Sequence, residues 1–208
     1  MSDVSRETPP PTLAAEVFSH RLNIAVTYAR HLVTSGVERG LIGPREVPRL
    51  WDRHLLNSAV VVPRVPQGAS VADVGSGAGL PGLVWAIARP DLTVTLIEPL
   101  LRRTTFLEEM REELGLQDQV RVIRGRADEV HETFDVVTAR AVAPLDKLGG
   151  WCLPLVRDGG VFLALKGSNA RAELAASRHV LSLLGGKNML VTTYGDLEIP
   201  TTVVEVSK

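Results

Sequence analysis

Val71-Ala72-Asp73-Val74-Gly75-Ser76-Gly77-Ala78-Gly79-Leu80-Pro81-Gly82 is a short apolar run that breaks into a glycine-rich turn. The run reads as a strand, and a helix whose first turn contains Pro81 is predicted directly after the turn. Glycines let the backbone reverse tightly and approach a ligand closely, while the helix start offers unpaired N–H groups to the same space. A nucleotide-like ligand is the expected occupant of such a cradle.

Two cofactor classes fit this turn. Gly77, Gly79 and Gly82 have the G-x-G-x-x-G spacing of dinucleotide sites, and that spacing alone does not decide. Asp73, just before the turn, favours S-adenosylmethionine, because a carboxylate there can hold the ammonium group directly or through water and would repel a pyrophosphate. Glu98, at the end of the second predicted strand, is placed to accept hydrogen bonds from both ribose hydroxyls, a role common to both classes. The plain alternatives are a tight turn with no ligand and a solvated strand end. A nicotinamide enzyme commonly needs a second region for substrate and catalytic groups, and only short N-terminal helices are available for one.

Outward from the turn the pattern alternates: strand 71–74, helix 80–88, strand 93–97, helix 100–114, then strands 120–123 and 134–138, helix 145–156, strand 161–165 and helix 170–184. Short apolar runs separated by helix-length segments predict a mostly parallel sheet with helices on both faces. Runs 189–194 and 201–206 are joined by a short loop with Gly195, Asp196 and Pro200, so they are expected to pair antiparallel at one edge. The expected fold is α/β and Rossmann-like: a mostly parallel seven-stranded sheet with a C-terminal antiparallel hairpin, by analogy the layout of class I methyltransferases. Before the sheet, apolar residues recur at helical spacing from Leu13 to Leu32, and a second helical stretch with Pro44 near its start runs to about Val62. The expected organisation is a flexible tail over 1–12, a helical extension over 13–66 and the main domain over 67–208.

Composition narrows the classes further. The tail is polar and proline-rich and lacks the apolar stretch of a secretory signal, and nowhere do eighteen apolar residues run uninterrupted, so no membrane span is expected. Cys152 is the single cysteine, which excludes an intramolecular disulfide and a cysteine zinc site and fits a reducing compartment. The five histidines have no paired ligand spacing, so no metal is expected. Net charge is −1, without the global basic excess of non-specific nucleic-acid binders, so any RNA contact must use a local patch.

DVGSGAGLPG (73–82), FDVVTARAVAPL (134–145) and GGVFLALKG (159–167), with RHLLNS (53–58) upstream, resemble in order and spacing the ribosomal RNA small subunit methyltransferase G family. The resemblance covers roughly residues 50–208. It implies methylation of guanine N7 in 16S ribosomal RNA, using S-adenosylmethionine, in the bacterial cytoplasm. The implied partner is small-subunit ribosomal RNA or the 30S particle, engaged by a monomer. Carried over to matching positions, the cofactor contacts are Gly75 and Leu80, Ala127 and Asp128, and Arg140. Residues 31–44 depart from the family pattern, so RNA contacts there do not transfer.

The chemistry agrees with this resemblance. Guanine N7 carries a free lone pair and no proton, so methylation needs alignment and desolvation rather than a general base. TARAVAP stands where an amine-methylation motif would follow the fourth strand, and Cys152, mid-helix between Trp151 and Leu153, reads as a small core residue rather than a nucleophile. Arg140 falls at the carboxyl end of a central strand, where ligands bind in open α/β sheets. It can hold the cofactor carboxylate or donate to guanine O6 and phosphate, and a shared catalytic role is expected. Lys166 is similarly placed and is assigned to RNA phosphate or base. Asp128 can bond the adenine amine, or simply cap a helix. Arg39, Arg45, Arg49, Arg53, His54 and Arg64, with Arg102 and Arg103 across the cofactor side, form a candidate RNA cluster; the alternative is a solvated face interleaved with Glu38, Glu46 and Asp52. A nicotinamide-dependent oxidoreductase and a non-catalytic nucleotide-binding, ribosome-associated module are the competing functions.

Overall fold

Seven strands, β1 (Ser70–Val74), β2 (Thr93–Glu98), β3 (Val120–Arg124), β4 (Phe134–Arg140), β5 (Val156–Lys166), β6 (Lys187–Tyr194) and β7 (Thr201–Ser207), form one sheet in the computed structural model of the chain. The structure describes residues 9–140 and 143–208; the first part of the expected tail and residues 141–142 of TARAVAP lie outside the described residues. Strand order is β3-β2-β1-β4-β5-β7-β6, with β7 antiparallel between β5 and β6 and the other pairings parallel. The mostly parallel sheet with a terminal antiparallel hairpin is therefore present as expected. From β1 the chain builds to one side, then returns to the other side at β4, which opens a crevice at the carboxyl ends of these two strands. Asp73 and Thr138 are register partners across them, so the glycine turn after β1 and Arg140 at the end of β4 flank the crevice.

The helices are α1 (Thr12–Phe18), α2 (Leu22–His31), α3 (Asn57–Ala59), α4 (Gly82–Ala88), α5 (Leu101–Glu113), α6 (Leu145–Cys152) and α7 (Ala170–Leu183). Every residue of α4 from Gly82 to Ile87 is buried. A helix that is apolar all round must be covered on all sides. Strands β1 and β2 cover one side of α4, and α1, α2 and α3 of the extension cover the other. Trp85 is wholly buried between them and satisfies its indole N–H on the Ser58 carbonyl at 2.8 Å. Residues on both sides of the expected boundary near 67 thus bury their side chains in one shared cluster.

Several boundaries differ from expectation, each for a local reason. The helix expected over 13–32 is interrupted by a 3-10 turn at Ser19–Arg21, with Ser19 at φ 48°. The guanidinium of Arg21 there reaches the Ala86 carbonyl and Gln119. The second stretch is a succession of 3-10 turn (Pro44–Arg49), π turn (Trp51–Leu56) and α3, because Pro48 inside it lacks an N–H. Helix 80–88 starts at Gly82, with Leu80 and Pro81 in the turn. Helix 145–156 ends at Cys152, because Pro154 cannot continue the ladder. After the 3-10 turn Leu153–Leu155, β5 begins at Val156 rather than 161.

A Cβ on Gly82 would press on the Leu96 side chain and lie 2.8 Å from Asp73 Oδ2. Gly82→Ala is expected to cost about 1–3 kcal/mol of stability through this overpacking. Gly150→Ala, exposed on α6 with nothing within 4 Å of a built Cβ, is expected to be neutral or to stabilise by up to about 1 kcal/mol. Thermal and urea unfolding compare the two, and a Gly82→Ala protein as stable as wild type would mean that α4 is not clamped to β1.

Candidate active site

The turn after β1 is held from three directions. Gly75, Gly77 and Gly79 have φ of 69°, 59° and 94°, which side chains rarely adopt. From below, the backbone N–H groups of Gly75 and Ser76 donate to the Ile97 carbonyl at 2.8 and 3.3 Å. From within, Asp73 Oδ2 accepts from the N–H of Gly82 at 2.9 Å, and Ser76 Oγ donates to the Asp73 carbonyl at 2.7 Å. From the side, the buried Tyr28 of α2 donates its hydroxyl to the Ala78 carbonyl at 2.6 Å. Tyr28 falls within the helical stretch expected over 13–32 and was not among the expected site residues; a phenol on a buried face needs a partner, which was the available signal.

Above this turn lies a cavity of about 580 Å³. Its floor is the backbone of Gly75 to Ala78; Glu98 and Arg140 stand on its walls, and Leu41, Ile42, Glu46 and His54 of the extension close it. Only Gly75 O comes within 4 Å of a Cβ built on Gly77, so the backbone there is bare toward the cavity. Glu98 is 1% exposed; its two oxygens accept from the N–H groups of Gly77 and Leu100, each at 3.0 Å, and Arg103 lies at 3.5 Å. A carboxylate has about four acceptor positions, so Glu98 retains capacity for a vicinal diol. Next to it is a slot of about 150 Å³ walled by Val74, Ile97, Pro99, Ala127 and Trp151, with Asp128 at the rim. Glu129, not Asp128, bonds the start of the 3-10 turn there by accepting from Arg126 N–H at 2.8 Å, which leaves Asp128 exposed and paired at 3.2 Å with the Arg126 guanidinium.

Arg140 and Asp73 carry the electrostatics. Burial pulls the Arg140 guanidinium down from the usual arginine range, offset by Tyr28, Asp73 and Glu46, and it remains a cation. Arg140 Nη2 lies 3.1 Å from His54 Nδ1, and His54 Nε2 lies 3.0 Å from Glu46. Asp73 is 0% exposed and does not line the cavity. This corrects the expectation that it holds an ammonium group directly: the turn folds over Asp73, which caps α4 instead. Its Oδ1 has no hydrogen-bond partner among the described residues, and burial pushes its carboxyl up to about 7.

Other expected residues are placed differently. Lys166 is nearly buried and bonds the Ala143 carbonyl at 2.9 Å and Glu173 at 2.7 Å, so it ties the segment after β4 to α7 rather than facing solvent. The basic cluster is not one patch: Arg39 pairs with Glu109 at 2.7 Å over the Phe106 ring, and Arg64 pairs with Glu205 at 2.7 Å. Arg45, Arg49, Arg53 and Arg102 are exposed near the cavity elements, and Arg103 is half-buried on its wall. Cys152 is wholly buried, its thiol pushed up by burial. No metal-binding group is present among the described residues.

A bare glycine floor, a buried carboxylate with spare acceptor positions and an apolar slot with an acid at its rim suit an adenosyl group bearing an amino-acid tail. Together with the sheet order they define a class I methyltransferase that uses S-adenosylmethionine. The model of the rRNA small subunit methyltransferase G family matches residues 21–199, and the chain belongs to that family. A ribosomal RNA small subunit methyltransferase G from Salinispora arenicola (strain CNS-205) is 58% identical over 97% of this chain and 88% of that protein. One from Thermobifida fusca (strain YX) is 57% identical over 95% and 85%. A magnesium protoporphyrin IX methyltransferase from Synechocystis PCC 6803, solved with bound S-adenosylmethionine, shares the fold with TM-score 0.59 and 13% identity, over 89% of this chain and 97% of that one. Family membership decides against the oxidoreductase and the non-catalytic module.

Folding raises the Asp73 pKa, so the folded state binds this proton more tightly than the unfolded chain. Its contribution to stability is fully present below the unfolded value of 3.8 and is lost as pH rises through about 7. Asp73→Asn is therefore expected to gain stability relative to wild type, by a few kcal/mol, between about pH 4 and about pH 8. Urea unfolding of both proteins across that range checks it; a difference that does not change with pH would remove the buried carboxylate as its source.

Proposed function

We propose that this chain methylates guanine N7 in 16S ribosomal RNA. The observation that carries the proposal is the cavity itself, in which the adenosyl-fitting floor and wall of the sheet meet Arg140 under a roof from the extension. S-adenosylmethionine supplies an electrophilic methyl group when bound. The chain's own residues then have positioning tasks. The slot beside Trp151 suits adenine, Asp128 its exocyclic amine, and Glu98 the ribose hydroxyls. Backbone at Gly75 and Gly77 with Leu80 shapes the space for the amino-acid tail, while Gly79, expected beside them, lies against Leu83 and Tyr28 and does not line the cavity. Asp73 acts from beneath by fixing that backbone. Arg140 stands where it can donate to the cofactor carboxylate and to guanine O6.

No side chain needs to remove a proton, because N7 has none; rate comes from alignment and exclusion of water. Arg49, Arg53, Arg102 and Arg103 around the mouth are the proposed phosphate contacts, with a salt-sensitive contribution. His54 and Lys166, also expected to touch RNA, are largely buried on internal partners, whereas Arg53 and Arg103, although paired with Glu46 and Glu98, stay partly exposed. The proposed partner is small-subunit ribosomal RNA or the 30S particle, the proposed working form a monomer, and the proposed place the cytoplasm. No described helix is long and apolar enough to cross a membrane.

Mapping N7-methylguanosine by chemical cleavage in ribosomal RNA from cells with and without the protein tests the reaction; identical patterns would remove the proposal. Arg140→Ala is expected to lower methyl transfer by about a hundredfold while the fold survives, read as a cooperative thermal transition. Unchanged transfer would refute the assignment of Arg140.

A further inference from the structure

Glu46, His54 and Arg140 form a line across one wall of the cavity, from the 3-10 turn Pro44–Arg49, through the π turn Trp51–Leu56, to the end of β4. The donor inventory fixes its protonation. A guanidinium has only donors, so His54 Nδ1, 3.1 Å from Arg140 Nη2, must accept. Nε2 faces a carboxylate oxygen at 3.0 Å, so it must carry the hydrogen. An imidazolium would point an N–H at another N–H. We infer that His54 is a positioning residue, held neutral as the Nε2–H tautomer, whose Nδ1 lone pair aims the Arg140 guanidinium into the cavity while Glu46 fixes the ring. This rests on the role proposed for Arg140 in methyl transfer.

The surroundings support it. His54 is largely buried, with side-chain exposure of 16%. The charged groups facing the line are Arg140 from β4, Glu46 from the 3-10 turn and Arg53 on the same turn as His54; Tyr28 and Asp73 act on Arg140 from α2 and β1. Burial and Arg140 push the imidazole below the ordinary histidine range, against the opposing effect of Glu46. The ring is anchored where it stands. The His54 carbonyl accepts from Ser58 Oγ at 2.6 Å, and the Ser58 carbonyl in turn accepts from Trp85 of the buried helix α4.

Two substitutions separate the two ends of the ring. His54→Asn keeps an oxygen at the place of Nδ1 and loses the link to Glu46; His54→Gln keeps a donor near Nε2 and loses the acceptor for Arg140. With the full chain, small-subunit particles and S-adenosylmethionine, His54→Gln is expected to lose about a hundredfold in kcat at a similar melting temperature, and His54→Asn, which keeps an acceptor for Arg140, about tenfold less. Activity of the wild type should fall with pH as His54 gains a second proton. Glu46→Gln should move that acid limb to lower pH, because it removes the anion that favours the imidazolium. Nitrogen-15 NMR of the wild-type imidazole reads the tautomer without any turnover: Nδ1 unprotonated and Nε2 protonated at neutral pH is expected. A protonated Nδ1, or equal losses in the Asn and Gln variants, would overturn the inference. A wild type that transfers no methyl group would instead remove the proposed function and leave the tautomer to the NMR measurement.

Discussion

The hydrogen bond from the Gly82 N–H to the buried Asp73 carboxylate is the constraint on which the site depends. It closes the chain on itself across the glycine turn, so the last residue of the turn sits against the strand that precedes it. Glycine at 82 is required by the space: any Cβ would meet Leu96 and Asp73. Once that contact is made, the backbone between them has no room to collapse, and its outer side is left bare over the cavity. The buried carboxylate raises the energy of the free fold, since one oxygen lacks a partner among the described residues. Arg140 partly compensates by its charge.

The second constraint is the apolar character of α4. The sheet covers only one side of it, and Trp85, Val84 and Ile87 need a second apolar surface. The extension supplies that surface, so covering α4 also sets where the extension lies. Tyr28 then reaches the turn, and Leu41, Ile42, Glu46 and His54 come to stand over the cavity. Packing and the closing of the cavity are thus two results of one helix being hydrophobic all round. The π turn Trp51–Leu56 serves both: it buries Trp51, Leu55 and Leu56 in the core while directing His54 toward Arg140.

The charges divide by depth. Deep groups are tied to partners: Arg140 to His54, Lys166 to Glu173, and Glu205 to Tyr194 and to the exposed Arg64. Two of these ties, Arg140–His54 and Arg64–Glu205, join the extension to the sheet across long stretches of chain. Arg49, Arg53 and Arg102 are exposed on the elements that carry Glu46, His54 and Arg103.

Most of the fold was legible because its signals are local. The apolar runs of β1 to β7, the glycine turn and the missing helix before β7 state the parallel sheet and its hairpin without any knowledge of contacts. That Glu98 and Arg140 line one cavity was legible because strand ends at a sheet's carboxyl edge converge whatever the details. Pairings were not legible. Lys166 and Asp73 looked like free functional groups, yet Glu173 and Gly82 claim them, because a charge that folding buries takes the nearest partner in space rather than in sequence. Element type and the place of the crevice follow from periodicity and chain order, which the sequence determines alone. Which side chains face the ligand and which merely hold the walls is decided only when the tertiary fold fixes burial and partners.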